Sequence, residues 1–409
     1  MPVLKGRILR NFSYLMIIQV MNVLFPLITF PFLLDDLGIS LLSEVVLAQS
    51  IMTYSSVLVN FGFNYIGVAD VSRNRHDVNT CAKIIRDISF SKLLCLFLLL
   101  CVMLILFNVL PFFEGRKYLY LLFLYLPLSE IFFPIYYFQG IEKMGVISVF
   151  NFINKGLVAI GSIFFVNDPE DYLLVPLTGW IALLISLFFL LKIMAQHGLK
   201  FRFSGAVSFR YYFKESYVMG AAMIINNVKF NLPMLLINIV GMKGIIPFYD
   251  IAQKIVNAFF TLFDTLSISI FPQTVLKNHQ LNIRGLAKWS FILTFIGSVS
   301  FIVLFLLFRH SLLSWKYYTV LEVLAWLVLS IPFYCVASIL GRNVLYVNSL
   351  SIVLLKSMFW SSVLFVAIPL ISAKLLLINS WQIMSFAFVL SLIFESFVRY
   401  FYVYKNQLL

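Results

Sequence analysis

Charge is scarce in this chain. Asp, Glu, Lys and Arg make up 11% of its 409 residues, against about a quarter in an ordinary soluble domain. That shortage argues against a soluble enzyme and against a dense basic surface for nucleic acid. Cysteine is limited to Cys81, Cys95, Cys101 and Cys335, scattered through or beside apolar segments. With no CxxC and no Cys/His pair at ligand spacing, neither a disulfide framework nor a metal site is expected. The four histidines (His76, His197, His279, His310) fall in loops or at the ends of apolar segments, none at triad or metal spacing. There is no GxxxxGK[ST] loop, so the chain has no ATP-hydrolysing motif of its own. No connection is long enough for a soluble catalytic domain, and no cofactor is implied.

Apolar residues are what the chain has in excess. They form 62% of it, the mean hydropathy is +0.99, and 44 Phe and 20 Tyr raise the aromatic share to 17%. They come in runs long enough to cross a bilayer, whereas a β-barrel would show short alternating segments. The expected fold is an all-α polytopic membrane protein. Twelve candidate spans fall at 11–34, 42–68, 89–110, 118–139, 145–166, 172–193, 216–240, 246–271, 287–308, 317–341, 350–372 and 377–403. The N-terminus has the basic-then-apolar order of a signal peptide. Its apolar stretch runs on to Leu34 with no small-x-small site, so it reads as an uncleaved first span.

The formal charge of +13 follows from the loops. Assigning the basic residues to alternate sides places 20 on one side, from Lys5, Arg7 and Arg10 through Lys92, Arg342 and Arg399 to Lys405. The other side receives 6: Arg116, Lys117, Lys243, Arg309, Lys316 and Lys374. Positive-inside bias then puts both termini in the cytoplasm. The longest polar stretch, "QHGLKFRFSGAVSFRYYFKES" (196–216), mixes basic and aromatic residues in the manner of an interfacial segment. It divides the chain into a six-span half at 1–197, a cytoplasmic interfacial linker at 198–215 and a second six-span half at 216–409. "LGISLLSEVVLAQS" (37–50) and "VGMKGIIPFYDIAQK" (240–254) faintly echo one another, as parallel repeats would.

Polar residues inside the spans form stripes. On span eight, Asp250, Gln253, Lys254, Asn257, Thr261 and Asp264 share a sector of roughly 100°. Span two repeats the pattern with Gln49, Thr53, Ser56, Asn60 and Asn64. Span one carries Gln19 and Asn22, span seven Asn226 and Lys229, and span five Ser148, Asn151, Asn154 and Lys155. Ionisable groups at membrane depth normally face a bundle interior or a water-filled cavity. Lys155, Lys229 and Lys254 lie near mid-span, which suggests a site for an anion. A structural reading stands beside this one. Asp250 and Lys254 are at i,i+4 and suit a local pair, Glu130 on span four is a candidate partner for Lys155, and the Asn and Gln side chains suit helix–helix contacts. Glu395 and Arg399 read as a local pair, and Lys356 as a snorkelling cation.

Several segments carry a family resemblance. "NFSYLMIIQVMNVLFPLITFPFLL" running into "LG" (11–38), "NFGFNYIGVADVSRNRHD" (60–77), "PIYYFQGIEKMGVISVFNFINK" (134–155), "PFYDIAQKIVNAF" (247–259) and "FPQT" (271–274) resemble polysaccharide-repeat flippases of the Wzx type. These are O-antigen transporters of the multidrug/oligosaccharidyl-lipid/polysaccharide exporter superfamily. Pro247-Phe248 departs from the family pattern, which has Gly before the aromatic.

The resemblance implies two six-helix lobes around a central cavity lined by spans one, two, seven and eight. It also implies transport of an undecaprenyl-diphosphate-linked oligosaccharide from the cytoplasmic to the periplasmic leaflet of the bacterial inner membrane. On that basis Lys155, Lys229 and Lys254 attract the diphosphate. Gln19, Asn22, Gln49, Asn60, Asn226 and Asn257 hydrogen-bond sugars, and Asp264, Asp250 or Glu130 couples to an ion. Membrane lipids are the surroundings, and the polysaccharide polymerase and chain-length regulator are the implied partners. A multidrug-type exporter of the same superfamily is the main rival. A membrane-embedded polymerase or ligase would need a larger outer loop than any here.

Overall fold

The computed structural model describes the backbone of residues 2–110, 113–199, 208–275, 283–313, 317–348, 350–375 and 380–407. Helices dominate, and no strand occurs among the described residues. The chain forms two compact units, Met1–Asn227 and Val228–Leu409.

Unit 1 opens with α1 (Pro2–Asn60), which is two helices joined at Gly38, whose φ of 70° and ψ of 169° break the helical ladder. α2 (Phe63–Arg73) follows a second break at Phe61 and Gly62, both with positive φ. Asp77 caps the next helix, α3 (Val78–Val109), accepting from the amides of Asn79 and Thr80 at 3.0 and 3.1 Å. Short helices α4 (Lys117–Leu122), α5 (Tyr125–Phe132) and α6 (Ile135–Gly140) lead to α7 (Met144–Phe165) and α8 (Leu174–Gln196). Most of α9 (Phe209–Asn231) also belongs to this unit, because the packing boundary falls at Asn227/Val228. The reason is a close backbone approach: a Cβ on Gly220 would lie 2.5 Å from the Phe61 carbonyl oxygen, and one on Gly62 2.7 Å from the Gly220 amide nitrogen. Phe213 packs against Phe61 and Phe63 at the same place. Of the expected linker at 198–215, residues 200–207 lie outside the described residues.

Unit 2 continues with α10 (Pro233–Ile239), bent 54° from α9 at the break before Pro233. Then come α11 (Ile246–Val275), α12 (Ile283–Leu312), α13 (Tyr318–Leu327), α14 (Ser330–Leu340), a π-helical turn (Gly341–Tyr346), α15 (Ser351–Leu375) and α16 (Trp381–Lys405). Eight helices are long and apolar enough to cross a bilayer, and the bent pairs α9–α10 and α13–α14 raise that to ten. The longest candidate, Met16–Asn60, has 45 residues and contains the Gly38 break. One crossing needs about 20 residues, so it supplies two. α11, with 30 residues, is long enough to supply another. The all-α, twelve-span reading stands.

Side-chain distribution is that of a membrane protein. Large apolar groups point outward, as on α12, where Leu293, Ile296, Leu304, Leu307 and Phe308 are exposed. Small hydroxyl residues point inward: Ser91, Ser162 and Ser186 in unit 1, and Ser330, Ser357, Ser361, Ser385 and Ser391 in unit 2. Small residues let helices approach closely where lipid offers no hydrophobic drive for association. Several of these hydroxyls donate to a carbonyl three or four residues back, such as Ser91 to Asp87 at 2.8 Å and Ser391 to Phe388 at 2.7 Å. They are thereby satisfied within their own helix.

Candidate binding site

In unit 1, the α1 stripe is partly self-satisfied. Asn22 Nδ2 donates to Gln19 Oε1 at 3.3 Å, and Asn22 Oδ1 is buried with no hydrogen-bond partner among the described residues. Gln49 is half-buried, and its backbone carbonyl accepts from Thr53 Oγ1 at 2.8 Å. Asn60 is buried, and its Oδ1 accepts from the Asn64 amide across the Phe61–Gly62 break. Asn60 therefore acts locally, bridging the ladder where the helix is interrupted. Lys155 is half-buried on α7, which packs on α1 through Phe25 and Phe152, rings 5.9 Å apart. One helix pair thus carries Lys155, Gln19 and Asn22.

Glu130 meets a different cation from the expected Lys155. Lys92, counted in the sequence among loop cations, is 1% exposed inside unit 1. Its Nζ donates to Asn64 Oδ1 and to the Glu130 carbonyl oxygen, both at 2.8 Å, with the Glu130 carboxylate 3.6 Å away. The Tyr136 ring lies 5.5 Å from the ammonium, within cation–π range. Lys92 stands only a few residues inside α3's apolar run, so sequence position alone did not separate snorkelling from burial.

In unit 2, span seven's lysine is not open to water as expected. Lys229 is 0% exposed. Its ammonium pairs with Glu395 of α16 and donates to Ser361 Oγ of α15 at 2.9 Å. Glu395 also binds Arg399, whose guanidinium donates to Ser357 Oγ and to the Ala337 carbonyl at 2.6 Å. Glu395 and Arg399 are thus a local pair, as expected, but one extended to a third charge and buried in the helix packing. Lys229 fixes the exit of α9 as well. Pro233 has no amide hydrogen to offer the carbonyl four residues back. Gln253 Nε2 of α11 donates instead to the carbonyls of Lys229 and Phe230 at 3.3 and 3.2 Å.

The rest of the α11 stripe is more open. Lys254 Nζ lies 2.5 Å from Asp250 Oδ2, with side-chain exposures of 30% and 14%. The local pair read from the i,i+4 spacing is present. Asn257 is half-buried, with its Oδ1 buried and unpartnered among the described residues. Asn226, on α9, is half-buried. Deeper along α11, the Asp264 carboxylate accepts from Tyr334 Oη at 2.7 Å and Ser338 Oγ at 2.5 Å, while Arg342 Nη1 donates to the Asp264 carbonyl at 3.0 Å. Sequence reading missed Tyr334, Ser338 and Arg342. Their spacing of four marks one helix face, but nothing in sequence says which acid it meets. No group of three or more His, Cys, Asp or Glu side chains suited to a metal occurs among the described residues.

Comparison with known proteins agrees with this architecture. A curated relative from Escherichia coli (strain K12), named "Putative O-antigen transporter", is 26% identical over 164 residues, covering 40% of this chain and 39% of the relative. A protein of the same name from Shigella dysenteriae is 27% identical over 186 residues, 43% and 44% of the two chains. The matched stretch spans less than half of either relative. Among solved structures, the lipid II flippase MurJ in an inward closed conformation aligns with a TM-score of 0.71 at 15% identity, over 96% of this chain and 86% of that one. A multidrug resistance MATE family transporter of the MOP superfamily, inward-facing, aligns with a TM-score of 0.69 at 10% identity, over 97% and 94%. At such identities these two establish the fold alone. Residues 8–275 match the family described as polysaccharide biosynthesis protein, and the chain belongs to that family.

Proposed function

We propose that the chain is a transporter that moves an undecaprenyl-diphosphate-linked oligosaccharide from the cytoplasmic to the periplasmic leaflet of the bacterial inner membrane by alternating access. Both termini would lie in the cytoplasm. The observation that carries this reading is Lys254: a cation on a membrane-length helix, partly exposed and held by one acid in the same helix. An anion arriving from water can compete for such an ammonium, whereas the fully buried Lys229 is committed to Glu395. Lys155 is the matching candidate in unit 1. Gln19, Asn22, Gln49, Asn226 and Asn257 supply amide groups for sugar hydroxyls, and Asn22 Oδ1 and Asn257 Oδ1 lack a donor among the described residues. The polysaccharide polymerase and chain-length regulator would act on the delivered unit.

The test is complementation in a strain lacking its own flippase. Lys254→Ala and Lys155→Ala are expected to lose most surface polysaccharide at equal protein levels, and normal display by both variants would overturn the reading. A multidrug-type exporter would instead restore dye resistance without restoring polysaccharide.

A further inference from the structure

Only Lys155 of the segment 134–155 has a place in transport. The middle of that segment, residues 139–144, turns the corner from α6 into α7. Gly140 seats the corner on α2: Ser72 Oγ donates to the Gly140 carbonyl at 3.3 Å, and a Cβ on Gly140 would lie 2.6 Å from Val71. Glu142 has a φ of 61°, in the left-handed region that non-glycine residues enter rarely. Its carboxylate lies 3.7 Å from Arg75. The one acid of the corner is thus engaged by Arg75, and Lys143 pairs with no carboxylate among the described residues.

What Lys143 meets is an imidazole. Its Nζ lies 2.8 Å from His197 Nε2 at the end of α8. An ammonium has only hydrogens to offer, so Nε2 accepts and Nδ1 carries the hydrogen, 3.4 Å from Tyr137 Oη. Lys143 is exposed, and its other two N–H groups are open to a further acceptor. α7 begins here with no acid in its first turn, so the positive end of its dipole adds to the same field. Beside this pair lies a narrow crevice between α6, α7 and α8. Phe133, Pro134, Phe138, Val146, Phe150 and Leu190 line it, and no polar side chain does. Phe138 joins the two features: its carbonyl accepts from the Lys143 amide at 2.8 Å, and its ring lies 6.2 Å from that of His197. The exposed neighbours Phe132, Val149 and Phe189 are apolar, as on a surface that faces lipid.

We propose that the α6–α7 corner and the end of α8 bind an anionic glycerophospholipid, with its phosphate on Lys143 and His197 and the start of an acyl chain in the crevice of Phe138, Val146 and Phe150. The corner lies on the side of the chain where the loop cations collect, and basic pockets between membrane helices on that side suit anionic headgroups. A free anion would find the cations but would leave the apolar crevice empty. A zwitterionic lipid would bring its own cation against Lys143. Binding draws a proton from water onto Nε2, so that both nitrogens donate to phosphate oxygens. The other titratable groups around the imidazole are Tyr137 of α6 and Cys81 of α3, with Arg75, His76 and Glu142 at the rim. None of the residues assigned to the oligosaccharide takes part.

The test uses the full chain with labelled histidine, in nanodiscs of phosphatidylcholine alone or mixed with phosphatidylglycerol. Histidine titrations are followed by NMR, with His197 assigned through His197→Gln. Surface potential raises every interfacial midpoint in the anionic discs, so His197 is compared with the exposed His76 and His310. His197 is expected to rise by about 1 pH unit more than either, the effect of an opposite charge at contact. Lys143→Ala should shrink that excess. Native mass spectrometry reads the lipid itself: the wild type should retain phosphatidylglycerol over phosphatidylcholine. Lys143→Ala, and Val146→Phe, which fills the crevice and leaves both cations, should lose most of it, with melting temperatures showing that each is folded. A rise at His197 no larger than at His76, the same rise given by inorganic phosphate in phosphatidylcholine discs, or full retention by either folded variant overturns the proposal. Loss of polysaccharide display would bear on transport and not on this site.

Discussion

Lys229 and Glu395 form an ion pair between α9 and α16 with no exposure of the lysine at all. Removing one partner of such a pair leaves a charge in a medium that cannot solvate it, a loss of about 3–5 kcal/mol in soluble proteins. Arg399 remains beside Glu395, so Lys229→Met is expected at the lower end, about 3 kcal/mol. The measurement is thermal stability of the purified chain in detergent, beside its yield. A structural lysine predicts less folded protein. A well-folded but inactive Lys229→Met would return this residue to the binding site.

Gly220→Ala tests the seam between α9 and the break in α1–α2. The new methyl would meet the Phe61 carbonyl oxygen at 2.5 Å, and overpacking of that kind costs about 1–3 kcal/mol. Gly62→Ala adds backbone strain, because Gly62 sits at φ 77°, a region open to glycine and costly for other residues. Gly62→Ala is therefore expected to be the less stable of the two in the same melting assay.

Lys92 and Glu130 are not equivalent partners. Lys92→Met leaves Asn64 Oδ1 and the Glu130 carbonyl without their donor, and unsatisfied buried groups cost about 1–3 kcal/mol each. Glu130→Gln keeps both of those bonds but takes the counter-charge, 3.6 Å away, from a fully buried ammonium, the loss that is costly for a buried pair. Both Lys92→Met and Glu130→Gln should therefore be clearly destabilised. A melting temperature unchanged in Glu130→Gln would show that the two 2.8 Å bonds suffice to hold the ammonium.

At the end of α8, His197 Nε2 lies 2.8 Å from Lys143 Nζ, and Nδ1 lies 3.4 Å from Tyr137 Oη. Burial first, and the Lys143 charge second, hold the imidazole below its ordinary value of 6.5. A folded-state value below the unfolded one means that the unfolded chain binds the proton more readily. The stabilisation is whole above about pH 6.5 and is lost as pH falls through the lowered value. Lys143→Ala should raise the His197 titration midpoint, read by NMR of labelled histidine. An unchanged midpoint would place the whole shift on burial.

Much of the architecture was legible in the sequence. The span lengths and loop cations marked the crossings, because each depends on a residue and its near neighbours, whereas the Asp77 cap and the break before Pro233 were not read from the sequence. The Asp250–Lys254 pair was legible for the same reason, since i,i+4 geometry is local. Burial of the other lysines was not. Lys155 and Lys229 look alike in sequence, each a cation near mid-span without an acid at helical spacing within its own span, while Lys92 was counted with the loop cations. Only packing brought Glu395 to Lys229 and Glu130 to Lys92.

The sequence by itself determined that this chain is helical, crosses a membrane many times and carries charges inside it. Those properties come from hydropathy summed over windows and from helix periodicity. The tertiary structure decided what each internal charge does. Lys229 became a clamp on helix packing, Lys254 kept a partly exposed pair with Asp250, and Asp264 was joined to a π-helical turn some seventy residues away along the chain. The physical reason is that the effective environment of a charge in a low-dielectric interior is set by its nearest polar neighbours in space, and here those belong to other helices.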